Sequence, residues 1–379
     1  MKLRYFFLLL IITPIFSIAQ LKSKDKNYHL IIGTYTKTQT NGLFVYKFDV
    51  ETGKLSFESK TAGVVNPSYL AISNDGKKVY SVSEAGDKKS GVSAFNFNAT
   101  NGELSFINSE ETKSPGPCYV NLADDGKFLF TANYAGGSVS VFPIADDGGI
   151  KPLAQLIQHS GESINKSRQS AAHAHSVKFS PDKSILYAAD LGTDVVYAYD
   201  YNSIQSQPLS KNIQSDIKIE AGYGPRHFEF NAKADRLYVL GEMEAIISVF
   251  EYQNNQSKIV QKISLNEVDF KGTNGAADIH LSNDGRFLYA TNRGDVNEIV
   301  IFKVNQKDGK LIRIGAVSSK GKTPRNFVID PTDNFLLVAN QNSDDIYVFK
   351  RDKKTGLLTY NDEMINIGAP VCLKFVAAK

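Results

Sequence analysis

The chain has 379 residues, 42% of them hydrophobic and 22% charged, and a formal net charge of +3. These are the values of an ordinary globular protein, and they exclude a strongly basic binder of nucleic acid or of acidic lipid. Two cysteines far apart in sequence, Cys118 and Cys372, exclude a disulfide framework and are expected to be free thiols.

The N-terminus reads as a leader. A basic start, "MKLR", runs into the apolar "YFFLLLIITPIFSI", and small residues stand at Ser17 and Ala19. This three-part pattern predicts a secretory signal peptide over 1–19, cleaved after Ala19. Pro14 interrupts the apolar run, which is short for a membrane span, and no other segment approaches that length. The expected mature chain, 20–379, is therefore exported (periplasmic or secreted) with no membrane span. Losing Lys2 and Arg4 brings its formal charge to +1.

Helix-period patterns are nearly absent after the leader. "HLIIGTYT", "GLFVYKFD" and "KLSFES" are alternating strands, and then a unit begins to repeat. Its copies are "PSYLAISNDGKKVYSVSE", "PCYVNLADDGKFLFTANY", "HSVKFSPDKSILYAADL", "RHFEFNAKADRLYVLGE", "ADIHLSNDGRFLYATNR" and "RNFVIDPTDNFLLVANQ". Each is a strand, a turn of the Ser-Pro-Asp-Gly type, and a second strand. The apolar residues after the turn, Tyr80, Phe130, Tyr187, Tyr238, Tyr289 and Leu337, are spaced by 50, 57, 51, 51 and 48 residues. A period near fifty built from short strands predicts a β-propeller with one four-stranded antiparallel sheet per blade. Third strands such as "SVSVFPI" and fourth strands such as "NGELSF" complete six units. The N-terminal strands and "PVCLKFVAA" near the C-terminus complete a seventh, so the ring is closed by both ends of the chain. The expectation is an all-β, seven-bladed propeller in a single domain.

The repeat also selects a candidate site. The start of each inner strand and the end of its neighbour meet on the face opposite the turns. Numbered from the apolar anchor, position −12 is Ser68, Cys118, His175, Arg226, Ala277, Arg325 and, in the seventh blade, Val371. Position +4 is Glu84, Tyr134, Leu191, Glu242, Arg293, Gln341 and Thr34. Arg226, Arg293, Arg325, His175, Glu84 and Glu242 thus gather at one mouth, while the turns at the other repeat blandly. Titratable groups converging on a concave mouth mark a candidate site.

Other readings compete at several positions. Arg226 and Glu242 suffice for an ion pair within one blade, with or without a ligand. His173 and His175 form an H-x-H pair suited to a metal, but no third ligand has matching spacing, so no metal is expected. His173 reads as loop surface, and His227 and His280 as satisfied strand histidines. Asp190 is a turn cap or a substrate contact, and Asn133, Asn292 and Asn340 hold its place in other blades.

Across almost the whole mature chain the sequence resembles the lactonase family of seven-bladed propellers, which includes 6-phosphogluconolactonases and carboxy-muconate lactonizing enzymes. "GTYT", "ANYAGGSVSVF", "HSVKFSPD", "ADLGTD", "GPRHFEF", the glutamate of "LGEME", "ADIHLSNDGRFLYATNRG" and "PRNFVIDPT" carry the resemblance. It implies a catalytic cluster of His175, Arg226, Glu242 and Arg293, no cofactor, and hydrolysis of a sugar-type lactone, an anionic small molecule. His175 would serve as general base or acid, and the arginines would hold the substrate's anionic group and the oxyanion. Arg325, Glu84, Tyr134, Gln341 and Asp190 are the expected substrate contacts. The alternatives are an exported module that binds an anionic sugar or a protein, and a muconate-type lactonizing isomerase. Oligomeric state is left open.

Overall fold

The computed structural model describes residues 27–36, 42–86 and 89–378, so the predicted leader lies outside the described residues. Seven antiparallel sheets stand around one axis, in the blade order that the repeat predicts. Blade 1 combines Pro370–Ala377 as its inner strand with Asn27–Thr34, Leu43–Asp49 and Leu55–Thr61. Blades 2 to 7 have inner strands Leu70–Ile72, Pro117–Leu122, Ala174–Phe179, Pro225–Phe230, Ala276–Leu281 and Pro324–Ile329. Blade 4 carries an extra short strand, Ile217–Lys218, beside its third strand.

Second strands are buried along nearly their whole length because each blade is covered by a neighbour on both faces; most inner strands are buried at their start and half-buried over their last two residues, where they approach the turns. The apolar anchors are fully buried, and the tyrosines among them need a partner for the hydroxyl. Tyr80, Tyr238 and Tyr289 donate to the carbonyls of Gly148, Gly309 and Gly356 in the following blade, at 3.0, 2.9 and 2.7 Å. The recurring aromatic therefore packs its own blade and ties it to the next.

One backbone device decides what faces the axis. In six blades the ladder between inner and second strand slips at the −12 position, skipping Cys118, His175, Arg226, Ala277 with Asp278, Arg325 and Val371. A bulge leaves its extra residue outside the ladder and re-aims the side chain. At Arg226 the approach is preset: Gly224 has φ +63°, and Pro225 has no N–H to lose. Strand alternation then brings positions −11 and −9 inward below the bulge, so side chains fill the axis in three layers.

Candidate active site at the axial mouth

Glu242 is the centre of the upper layer. Its carboxylate lies 2.9 Å from Arg226 Nε, 3.1 Å from Arg293 Nη2 and 2.8 Å from Arg168 Nη2. Burial pushes the Glu242 carboxyl up, but the guanidiniums of Arg293, Arg226 and Arg168 outweigh it and hold it at about 2. Arg226 is only 1% exposed. It donates to the carbonyl of Ala277 and approaches His227 Nε2 at 3.3 Å. The ion pair with Glu242 that the sequence allows for Arg226 is present, and the Ala277 carbonyl and His227 occupy its Nη1.

The other cations are freer. Arg293 donates from Nε to the Gly275 carbonyl at 2.6 Å and keeps some exposure. Arg325 has no carboxylate within 4 Å among the described residues; its guanidinium sits 5.3 Å over the Tyr35 ring. Tyr35 donates to Glu84 at 2.8 Å, and Ser68 donates to the same oxygen. Four guanidiniums thus face two carboxylates, Glu242 and Glu84.

His175 is buried beside this excess of positive charge, and its Nδ1 has no hydrogen-bond partner. Burial, then Arg226, His227, Arg325 and Arg293, hold the imidazole well below its usual pKa, so it is a neutral ring with an unused nitrogen. Tyr134 meets it edge-on at 5.5 Å and His227 at 5.3 Å.

The expected contacts separate. Tyr134 joins the site, its hydroxyl accepting from Arg168 at 3.2 Å. Glu84 positions Tyr35, under Arg325. Gln341 is half-buried, and its backbone N–H bonds Thr323. Asp190 is fully buried as a structural cap, accepting from the N–H groups of His173, Gly192 and Thr193 and from His159 Nδ1. Asn133, Asn292 and Asn340, in the same place of other blades, likewise bond their own loops. His173 differs from the surface reading: it stacks on Tyr134 at 4.6 Å with Nδ1 2.9 Å from that residue's carbonyl oxygen. Both cysteines are free and buried, Cys118 in blade 3 and Cys372 in blade 1. Among the described residues, no three His, Cys, Asp or Glu side chains are placed to hold a metal ion.

Arg168 was not found by sequence reasoning. It lies in the connection between blades 3 and 4, outside the aligned unit. The one signal of it is the long 57-residue interval from Phe130 to Tyr187.

The middle layer supports the upper one. His227 Nδ1 lies 2.8 Å from Asp278, and burial together with Arg226 pushes the imidazole down to about 3 despite that carboxylate. It is therefore neutral, donating from Nδ1 and accepting at Nε2. Tyr69 and Tyr119 stack at 3.9 Å, and both meet the His227 ring edge-on.

A closed ring of seven four-stranded blades, with cations and a neutral histidine gathered at one mouth of its axis, defines a β-propeller. More narrowly, the chain belongs to the lactonase family of seven-bladed β-propellers, whose model matches residues 29–375. A 6-phosphogluconolactonase of Bacillus subtilis is 34% identical over 91% of this chain and 97% of its own length. One from Formosa agariphila is 35% identical over 87% of this chain and 94% of its own. The solved periplasmic gluconolactonase of Pseudomonas aeruginosa superposes with a TM-score of 0.89 at 36% identity, covering 93% of this chain and all of its own.

Proposed function

We propose that this protein hydrolyses a sugar-type lactone at the axial mouth, and that the substrate is anionic. The observation that carries the reading is His175: a buried, neutral imidazole with an unpartnered Nδ1, set among guanidiniums. Such a ring can accept a proton once a bound anion offsets the positive charge around it. In the reaction it takes a proton from water as the water oxygen bonds to the lactone carbonyl carbon. Negative charge then collects on the carbonyl oxygen, where Arg293 and Arg325 stabilise it. Collapse of the tetrahedral intermediate breaks the ring C–O bond, and the imidazolium returns its proton to the leaving alkoxide. The product is the open-chain hydroxy acid.

The surplus cations explain why a charged substrate suits this base. Arg226, Arg325 and Arg293 disfavour protonated His175; an anion bound beside them offsets that penalty when the proton arrives. Because lactones already hydrolyse readily, a general-base factor of about 10²–10⁴ is sufficient. The names of the three relatives support a gluconolactone-type substrate. The leader pattern over 1–19 and the periplasmic relative support export, with a mature chain starting at Gln20.

The test is a panel of δ- and γ-lactones, each as neutral and phosphorylated or carboxylated forms, followed directly by spectroscopy. The expected result is turnover above the spontaneous rate, with kcat/KM favouring the charged forms. No turnover on any member overturns the lactonase reading; equal rates on neutral and charged forms overturn the anionic one. Mass spectrometry of exported protein checks the start at Gln20.

A further inference from the structure

The turn-side mouth is not the bland face that its repeating turns suggest. Position −9 of the repeat faces the axis there, and it reads Ala71, Asn121, Lys178, Glu229, His280, Val328 and Lys374. Asn121, Lys178, Glu229 and Lys374 line a cavity of about 660 Å³, closed at depth by the stacked Tyr69 and Tyr119. That volume is typical of a small-molecule pocket.

Two blades place Ala71 and Val328 at this position, so the fold does not require charge there. Burying charged groups is costly unless they are fully paired. Lys178 and Glu229 satisfy each other at 2.6 Å, and His280 lies 3.1 Å from Asp278 and 3.6 Å from Glu229. Asp278 is already committed to His227, to Asn326 and to the N–H of Phe327. Lys374 is left over. It has no carboxylate within 4 Å among the described residues, and its ammonium stands 4.9 Å over the Tyr69 ring. Asn121 spends one N–H on the Val177 carbonyl at 3.2 Å, leaving the rest of its amide. A spare cation, a spare amide and an aromatic floor converge on one open-mouthed cavity.

We propose that this turn-side cavity is a second binding site, for a small anion bearing a carboxylate or phosphate group, with Lys374 as its counter-charge. The Tyr69–Tyr119 stack separates it from the hydrolytic mouth, so it is a site of its own and not the far end of a through-channel.

The experiment is calorimetric titration of the full chain with sodium gluconate and, separately, with sodium phosphate. It is run on the Arg293→Gln background to weaken the hydrolytic mouth. One binding event is expected to persist there, and to weaken at least tenfold when Lys374→Gln is added. Lys374→Arg should restore it, and an unchanged circular-dichroism spectrum shows that the variants fold. Binding of gluconate alone assigns a carboxylate ligand, and binding of phosphate alone a phosphate; either supports the site. No binding of either probe on the Arg293→Gln background, or binding that Lys374→Gln leaves unchanged, overturns it.

Discussion

The two mouths of the axis are built from the same seven inner strands, yet they handle charge in opposite ways. At the upper mouth three guanidiniums share one carboxylate, Glu242, and a neutral histidine is left without a partner. At the turn-side mouth Lys178, Glu229, His280 and Asp278 alternate in sign along a contact chain, with Lys374 the exception. The first arrangement carries an excess of positive charge that an incoming anion would offset; the second is nearly self-satisfied. The difference teaches that charge at a propeller axis is not itself a mark of catalysis. Unpaired charge beside a neutral, unpartnered histidine is what supports the catalytic reading proposed for the upper mouth.

The comparison breaks most severely at His175. Replacing it with alanine is expected to lower kcat on a δ-lactone by about 10²–10⁴ while leaving the unfolding midpoint close to wild type. A kcat within threefold of wild type would remove the chemical distinction between the mouths.

Next is Glu242→Gln. It leaves Arg226 and Arg293 buried without their counter-ion and is expected to destabilise by about 3–5 kcal/mol, read from urea unfolding. The half-exposed Arg168 contributes little to that figure. An unchanged midpoint would mean that Glu242 does not hold the cluster.

A third test uses pH. Burial opposes protonation of His280, but Asp278 and Glu229 raise it to about 9. Its stabilisation is therefore complete below the unfolded value near 6.5 and is lost as pH rises through 9, on the order of 3 kcal/mol. Groups of the upper and middle layers act on the other side. Neutral His227, at about 3, stabilises above 6.5 and loses this as pH falls toward 3; Glu242, at about 2, loses its share between 4.5 and 2. His280→Asn should flatten the alkaline limb of the unfolding profile most, and weaken the acid limb as well, because protonated His280 helps to hold the Asp278 and Glu229 carboxyls below their usual range. An alkaline limb that the substitution leaves unchanged would show that His280 does not titrate against these carboxylates.

The smallest effect belongs to Arg168, 42% exposed and poised over Glu242 and Tyr134. Arg168→Ala is expected to raise KM for an anionic lactone about 3–10-fold with kcat nearly unchanged, from steady-state kinetics. A fall in kcat with constant KM would make Arg168 part of the chemistry instead of the entrance.

The sequence made different parts of this molecule legible for different reasons. Blade count follows from the anchor spacing, because every anchor meets the same requirement to pack between two sheets. The −12 ring follows from the same alignment, although only coordinates show that a bulge turns those side chains inward. Arg168 escaped because it sits in a connection with no counterpart in other blades. The −9 ring is present in the same alignment, but its residues differ in type from blade to blade and adjoin turns that repeat closely, so no pattern in the sequence marks it. Asp190 and its asparagine counterparts show the converse: a polar residue recurring at one register serves the loop, not the ligand.

The pairing of His29 with Val376 has a bearing on how the molecule comes to exist at all. Each blade is a local meander, but the first is finished by a strand from the other end of the chain. Closing so long a loop costs about 5 kcal/mol in chain entropy, and contacts this distant in sequence form slowly. The expectation is that the blades form as local hairpins and that closure of the circle comes late. Neither mouth has its full set of facing side chains before that step, so the appearance of activity during refolding should time the closing of the circle.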